Sequence, residues 1–173
     1  MRRPTTVQEH RSAGPSGGLR VAVLTVSDTR TLETDTSGAL IVTKLAGADH
    51  VAAERAIVAD EPDLMRPLLI GWRDRGDIDV ILVTGGTGIS PRDQTYETVS
   101  GLLTKPLPGF GELFRMLSYS EIGPACMMSR AVGGLMGKVV LLVMPGSRAA
   151  VELAMDQIIL PELGHLVQQA TKR

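Results

Sequence analysis

Residues 84–93 read TGGTGISPRD and follow directly on the apolar run DVILV. Gly85, Gly86 and Gly88 give the backbone freedom to turn successive N–H groups inward, which forms a nest for an anion. Thr84, Thr87 and Ser90 add hydroxyl donors, and Arg92 adds positive charge. The chemistry favoured is phosphate binding. The competing reading is a tight turn that uses glycine only for its geometry. Two familiar phosphate loops are excluded. The chain has no G-x-x-x-x-G-K-[ST], and the glycine spacing after this strand does not match G-x-G-x-x-G.

Two carboxylates stand beside this loop in the chain logic: Asp93 closes it, and Asp60 opens the segment DEPD. Carboxylate oxygens together with phosphate oxygens are the usual environment of Mg²⁺. Asp60 has an equally ordinary reading, as a helix cap paired with Asp63. Other chemistries are poorly supported. His10, His50 and His165 have no metal-ligand spacing and read as solvated residues. Ser27, Ser129 and Ser147 have no histidine nearby for a nucleophilic triad. Cys126 reads as a small buried residue. Met116, Met127, Met128, Met136, Met144 and Met155 lie in apolar runs and read as core filler.

Elements must carry these residues to one place. LRVAVLTVS (19–27), AERAIVA (53–59), DVILV (79–83) and KVVLLVMPG (138–146) read as strands, the first, third and fourth buried on both faces. Between them lie helical patterns. Asp35–Gly47 has caps and a glycine stop. A helix from Asp60 to Trp72 carries Leu64, Leu68 and Trp72 on one face, with a kink or restart expected at Pro67. A short helix spans 95–103, and another spans 108–123 with Leu113, Met116 and Leu117 as its stripe. Residues 126–137 alternate around Gly133–Gly134 and suggest a small β-hairpin. Ser147 caps a helix lined by Val151, Met155, Ile158 and Ile159, and a further helix follows Pro161. The pattern predicts an α/β fold: three layers, with a mostly parallel sheet covered by helices on both faces. Ligands in such sheets collect beyond the carboxyl ends of the strands. The post-strand segments Ser27–Asp28, Asp60–Glu61, Thr84–Asp93 and Pro145–Ser147 should therefore share one rim.

Bulk properties narrow the function. The sequence is 43% hydrophobic and 21% charged, with 18 basic and 19 acidic residues for a net charge of −1, so no overall field favours nucleic acid or an anionic membrane. Aromatics at 3% are too few for a base-stacking platform. A single cysteine rules out an internal disulfide framework. The apolar run VVLLVM falls far short of the about 20 residues needed to span a bilayer. Arg2, Arg3 and Arg11 are not followed by an apolar stretch, as a secretory signal requires. The expectation is a cytoplasmic protein with a disordered tail over residues 1–18 and a single domain over residues 19–173.

Six blocks, in order, resemble the MoaB/Mog family of molybdenum cofactor biosynthesis proteins: TVSDTRTLETDTSG (25–38), VADEPD (58–63), TGGTGISPRDQTYE (84–97), PGFGELFRMLSYSEIG (108–123), SRAVGG (129–134) and MPGS (144–147). The fourth block is closer to the MoaB branch. The resemblance implies a molybdopterin-binding fold, molybdopterin as substrate, and adenylylation of its terminal phosphate by ATP with Mg²⁺, releasing pyrophosphate. It implies a homo-oligomer, a trimer or a dimer of trimers, with other molybdenum cofactor biosynthesis proteins as further partners. Residue by residue, it places the catalytic and Mg²⁺-holding acids at Asp60 and Asp93. It places substrate contacts at Thr84, Gly85, Gly86, Thr87, Gly88, Ser27, Ser129, Arg130, Gly146 and Ser147. Retention of both acids favours an enzyme over a non-catalytic molybdopterin-binding or carrier protein of the same fold, which is the alternative. A generic phosphosugar or nucleotide enzyme is the third reading.

Overall fold

The computed structural model describes residues 18–172. The expected tail, residues 1–18, lies outside that range except for Gly18, whose amide donates to the Asp49 carbonyl at 2.6 Å. A six-stranded sheet has the order β2-β1-β3-β6-β5-β4. Its strands are β1 (Arg20–Val26), β2 (Val51–Val58), β3 (Val80–Thr84), β4 (Lys105–Pro106), β5 (Val132–Met136) and β6 (Val139–Met144). β2, β1, β3 and β6 run parallel, whereas β5 is antiparallel to β6 and β4 is antiparallel to β5. The helices are α1 (Thr36–Gly47), α2 (Pro62–Asp74), α3 (Thr95–Ser100), α4 (Pro108–Ile122), α5 (Arg148–Ala154) and α6 (Leu160–Thr171). No helix among the described residues is long and apolar enough to cross a membrane.

The uniform apolarity of the central strands has a direct cause. Val21 and Val23 of β1, with Val140, Leu142 and Met144 of β6, face a core shared with α1, α4, α5 and α6. The alternate residues Ala22, Leu24, Val139, Leu141 and Val143 face a second core, against α2 and α3. Period-two alternation thus places apolar residues on both faces, as buried parallel strands require.

Several helical expectations are corrected. The buried stripe of α2 is Met65, Leu69 and Trp72, while Leu64 is half exposed. The helix also runs unbroken through Pro67. Pro67 lies on the solvent side, where water can satisfy the carbonyl its ring leaves without a donor. α4 buries Phe110, Gly111, Phe114 and Ser118, so Leu113 and Met116 face outward. Gly111 is required there, because a Cβ would lie 2.4 Å from the Ala131 carbonyl oxygen. Of the six methionines read as core filler, Met136, Met144 and Met155 are buried, but Met116, Met127 and Met128 are exposed. His50 is buried rather than solvated, and burial pushes its imidazole pKa down. The hairpin is also displaced. Gly123–Met128 forms a 3₁₀ turn, and β5 pairs with β6 around Gly137, whose φ is 68°. Pro161 does not separate two helices. Met155–Ile159 widens to π geometry just before it, which accommodates the missing donor, and helical backbone continues from Arg148 to Thr171.

α1 begins at a buried acid. Asp35 is 3% exposed; its Oδ1 accepts the Gly38 N–H at 2.8 Å, and its Oδ2 accepts the Thr25 hydroxyl at 2.7 Å and Arg55 Nη2 at 3.0 Å. Burial alone would raise its pKa, but these three donors outweigh it and hold the carboxyl below its ordinary value. The stability it contributes is therefore present above the unfolded-chain pKa and lost as pH falls through the lower folded one. Asp35→Ala removes both the cap and the buried partner of Arg55. It should lower unfolding free energy at neutral pH by about 2–4 kcal/mol in urea titration, a deficit that narrows toward acid pH.

Candidate functional site

The parallel strands deliver their post-strand loops to one rim, as the strand pattern predicts. At its centre the chain leaves β3 through Gly85 (φ 102°) and Gly86 (φ 63°). A Cβ on Gly85 would lie 2.2 Å from the Val26 carbonyl oxygen, and one on Gly86 would lie 2.3 Å from Asp60 Oδ2 and 2.1 Å from Thr95 Oγ1. These glycines allow a close fit with the neighbouring loops as well as a turn. Added bulk at Gly86 therefore strikes Asp60 before it meets any incoming ligand.

On one side of the glycines lies a cavity of about 110 Å³ whose lining includes Ser27, Arg30, Asp35, Ser37, Thr84 and Gly146. Ser27 Oγ accepts the N–H groups of Thr29 and Arg30 at 3.3 and 3.2 Å. Ser37 donates to the Gly146 carbonyl at 2.8 Å, and Thr84 donates to the Pro145 carbonyl at 3.0 Å. Gly146 packs so closely that a Cβ there would sit 3.2 Å from Gly85 Cα. Of the rim residues expected from sequence, Ser27, Thr84, Gly85 and Gly146 are thus brought together around one space. Sequence reasoning took Asp35 only as a cap and missed Arg30 and Ser37. The signal for Ser37 was its place in the first turn of α1, where amides and hydroxyls point at whatever lies beyond the helix end.

On the other side lie the acids. Asp60 is 4% exposed and does not cap α2, whose N-cap position is Glu61. Its Oδ1 instead accepts the Gln94 N–H at 3.1 Å. Burial raises the Asp60 pKa; the Gln94 N–H opposes this, and the nearby negative charge of Asp93 adds to it. Asp93 Oδ2 accepts the Ser90 N–H at 3.0 Å and would lie 2.8 Å from a Cβ on Gly88. Gly86 and Gly88 therefore keep side chains away from the carboxylates of Asp60 and Asp93 in turn.

The remaining expected residues are placed differently. Arg130 lies behind the loop: its Nε donates to the Gly88 carbonyl at 2.8 Å, its Nη2 to the Asp93 carbonyl at 3.1 Å, and its Nη1 pairs with Glu97. Its guanidinium also lies 5.1 Å from the centre of the Tyr96 ring. The Arg130 amide donates to the Thr87 carbonyl, so the buried Thr87 is held by backbone. Ser129 Oγ is buried without a partner among the described residues. Ser147 Oγ accepts the Ala150 N–H as the N-cap of α5. Arg92 is engaged by Asp28 and Glu61.

No group of three or more His, Cys, Asp or Glu side chains among the described residues is arranged to hold a metal. Asp60 and Asp93 nevertheless offer hard carboxylate oxygens beside glycines that carry no side chain, the donor type that divalent cations such as Mg²⁺ take together with phosphate oxygens and water.

The mostly parallel sheet covered by helices on both faces is the fold of known proteins. Residues 22–165 match the family described as "Probable molybdopterin binding domain". The chain belongs to the molybdopterin-binding domain family. It is 49% identical over 162 residues to molybdenum cofactor biosynthesis protein B of Bacillus anthracis, covering 93% of this chain and 95% of that protein. A crystal structure of a molybdenum cofactor biosynthesis protein B superposes with a TM-score of 0.89 at 46% identity, over 92% of this chain and 99% of that one. The molybdopterin biosynthesis enzyme MoaB of Thermus thermophilus gives a TM-score of 0.79 at 36% identity, over 90% and 98%.

The raised Asp60 pKa has a definite sign. A folded-state carboxyl pKa above the unfolded value costs stability at neutral pH, and the cost fades as pH falls through the folded pKa. Asp60→Asn keeps an acceptor for Gln94 and removes the buried charge. It should melt no lower than the parent at pH 7 by calorimetry, with any advantage shrinking as pH is lowered.

Proposed function

We propose that the protein acts in molybdenum cofactor biosynthesis, binding molybdopterin and transferring an adenylyl group from ATP to its terminal phosphate. The observation that carries this reading is the pair Asp60 and Asp93, each held by a backbone N–H group and each facing a glycine of the loop, Gly86 and Gly88. Relatives named for molybdenum cofactor biosynthesis across nearly the whole chain support it.

In this reaction an oxygen of the molybdopterin phosphate attacks the α-phosphorus of ATP. The bond from that phosphorus to the bridging oxygen breaks, and pyrophosphate leaves with the electron pair. Both reactants are anionic, so placement and charge compensation dominate the barrier. Asp60 and Asp93 would hold Mg²⁺, which when bound would supply that compensation. The chain contributes the rest. The positive-φ glycines let a phosphate approach the backbone, and Ser37 in the first turn of α1, with Arg30, marks the end of the cavity suited to an anion. Cys126, buried, takes no part in this scheme.

We also propose that the protein is a homo-oligomer in solution, a trimer or a dimer of trimers, as its family resemblance implies. Met116, Tyr119, Ile122, Met127 and Met128 expose a run of large apolar side chains along α4 and the following 3₁₀ turn, a surface that a second copy can bury. Light scattering at micromolar concentration should give a mass of three or six chains; a monomer would remove this part of the proposal.

Asp60→Asn and Asp93→Asn should fold, retain molybdopterin binding and lose pyrophosphate release by a factor on the order of 10². Parental rates in both variants would reduce the acids to structural residues and leave a molybdopterin-binding or carrier protein.

A further inference from the structure

Four carboxylates follow the first three parallel strands: Asp28, Asp60, Glu61 and Asp93. The structure divides them into two kinds. Asp28 and Glu61 are both ion-paired to Arg92. Its Nε and Nη2 form a fork on Asp28 at 2.9 and 2.8 Å, and its Nη1 reaches Glu61 Oε1 at 2.6 Å. Asp60 and Asp93 receive only backbone N–H groups, from Gln94 and Ser90. One guanidinium therefore ion-pairs two of the acids, and the other two have no cationic side chain bonded to them among the described residues.

The same contacts close a ring. Asp28 Oδ1, held by Arg92, also accepts the backbone N–H of Asp60 at 3.1 Å. Two residues beyond Arg92, the Gln94 N–H returns to the Asp60 carboxylate. Asp60 is thus gripped at its main chain by the β1 loop and at its side chain by the β3 loop, and Arg92 joins those two loops. We propose that Asp28 and Arg92 are positioning residues, and that the planar fork of Arg92, beyond its charge, sets Asp60 against Asp93 for a divalent cation bound with a triphosphate. This rests on the nucleotidyl-transfer reading of the two acids, but it concerns cation binding, which is measurable without turnover.

Stability does not explain the cluster. The Arg92, Asp28 and Glu61 side chains are 49%, 41% and 50% exposed, and such surface pairs add little. The molecule also contains a counterpart elsewhere. Arg75 forks onto Asp77 at 2.9 and 2.9 Å and pairs with Glu54, and Asp77 is shared there with Arg20, in a cluster that includes none of the rim acids. Arg75→Lys is therefore an internal control for a similar bond pattern away from the rim.

The test is a titration with Mn²⁺, followed by electron paramagnetic resonance, of the full chain with and without ATP. Circular dichroism checks the fold of each variant. Changes in residues that orient metal ligands commonly weaken metal affinity 10- to 100-fold. Arg92→Lys keeps the charge and loses the fork, so Mn²⁺ binding should weaken about 10-fold. Asp28→Ala should match it. Asp28→Asn, which keeps an acceptor for the Asp60 amide, should weaken binding less, and Arg75→Lys should leave it unchanged. A merely electrostatic role gives a different pattern: Arg92→Lys binds like the parent, and Arg92→Met binds more tightly because a repelling cation is gone. Either result overturns the positioning role while leaving the assignment of Asp60 and Asp93 intact. A parent protein that takes up no Mn²⁺, with or without ATP, overturns the cation reading of the two acids themselves.

Discussion

The glycine pair at the end of β3 constrains everything around it. Gly85 and Gly86 both adopt positive φ, and the atoms next to them leave no space for a side chain. Val26 of β1 closes against Gly85, while Asp60 and Thr95 close against Gly86. The chain ends of β1, β2 and β3 therefore meet at van der Waals distance around the glycine backbone. A loop of larger residues would have to hold those three segments apart, and the carboxylates and hydroxyls would no longer converge.

This close approach also accounts for where charge sits. The cost of burying Asp60 is only partly offset by the Gln94 N–H and the nearby Arg92 charge, so its carboxyl stays above its ordinary pKa. Asp35 is the opposite case: three donors satisfy it, and it serves the fold. Two buried aspartates within one small domain thus shift in opposite directions because their donor sets differ. Arg130 and Arg92 belong to the framework of the rim. One braces the glycine loop from behind through carbonyl oxygens, and the other ties acids on neighbouring loops.

The fold sits beneath this arrangement as a level platform. β1, β3 and β6 pair in register from Val21–Val80–Val140 to Thr25–Thr84–Met144, so their carboxyl ends finish side by side. Two apolar cores, one on each face, hold that register, since a one-residue slip would exchange their side chains.

The sequence by itself determined the parallel strands, the order of helices, the rim and its glycine loop, because these rest on local periodicity and on residue types with few alternatives. Doubly buried strands must be continuously apolar, and only glycine accepts the backbone of residues 85–86. Helix faces were less legible. In α2 and α4 apolar residues occur on more than one side, and whether Leu64 or Met65, Met116 or Phe114, turns inward depends on what lies across the gap. The roles of the charged residues depended on tertiary structure altogether. Asp60 and Asp63 have the spacing of a cap pair, and nothing in that spacing tells that the Asp60 carboxylate instead meets an amide 34 residues away. Likewise the sequence displays Arg92 as free positive charge in a phosphate loop. Only the packing of three loops shows that Asp28, 64 residues earlier in the chain, already holds it. Electrostatic partners act through space, so the fold had to be formed before they could be identified.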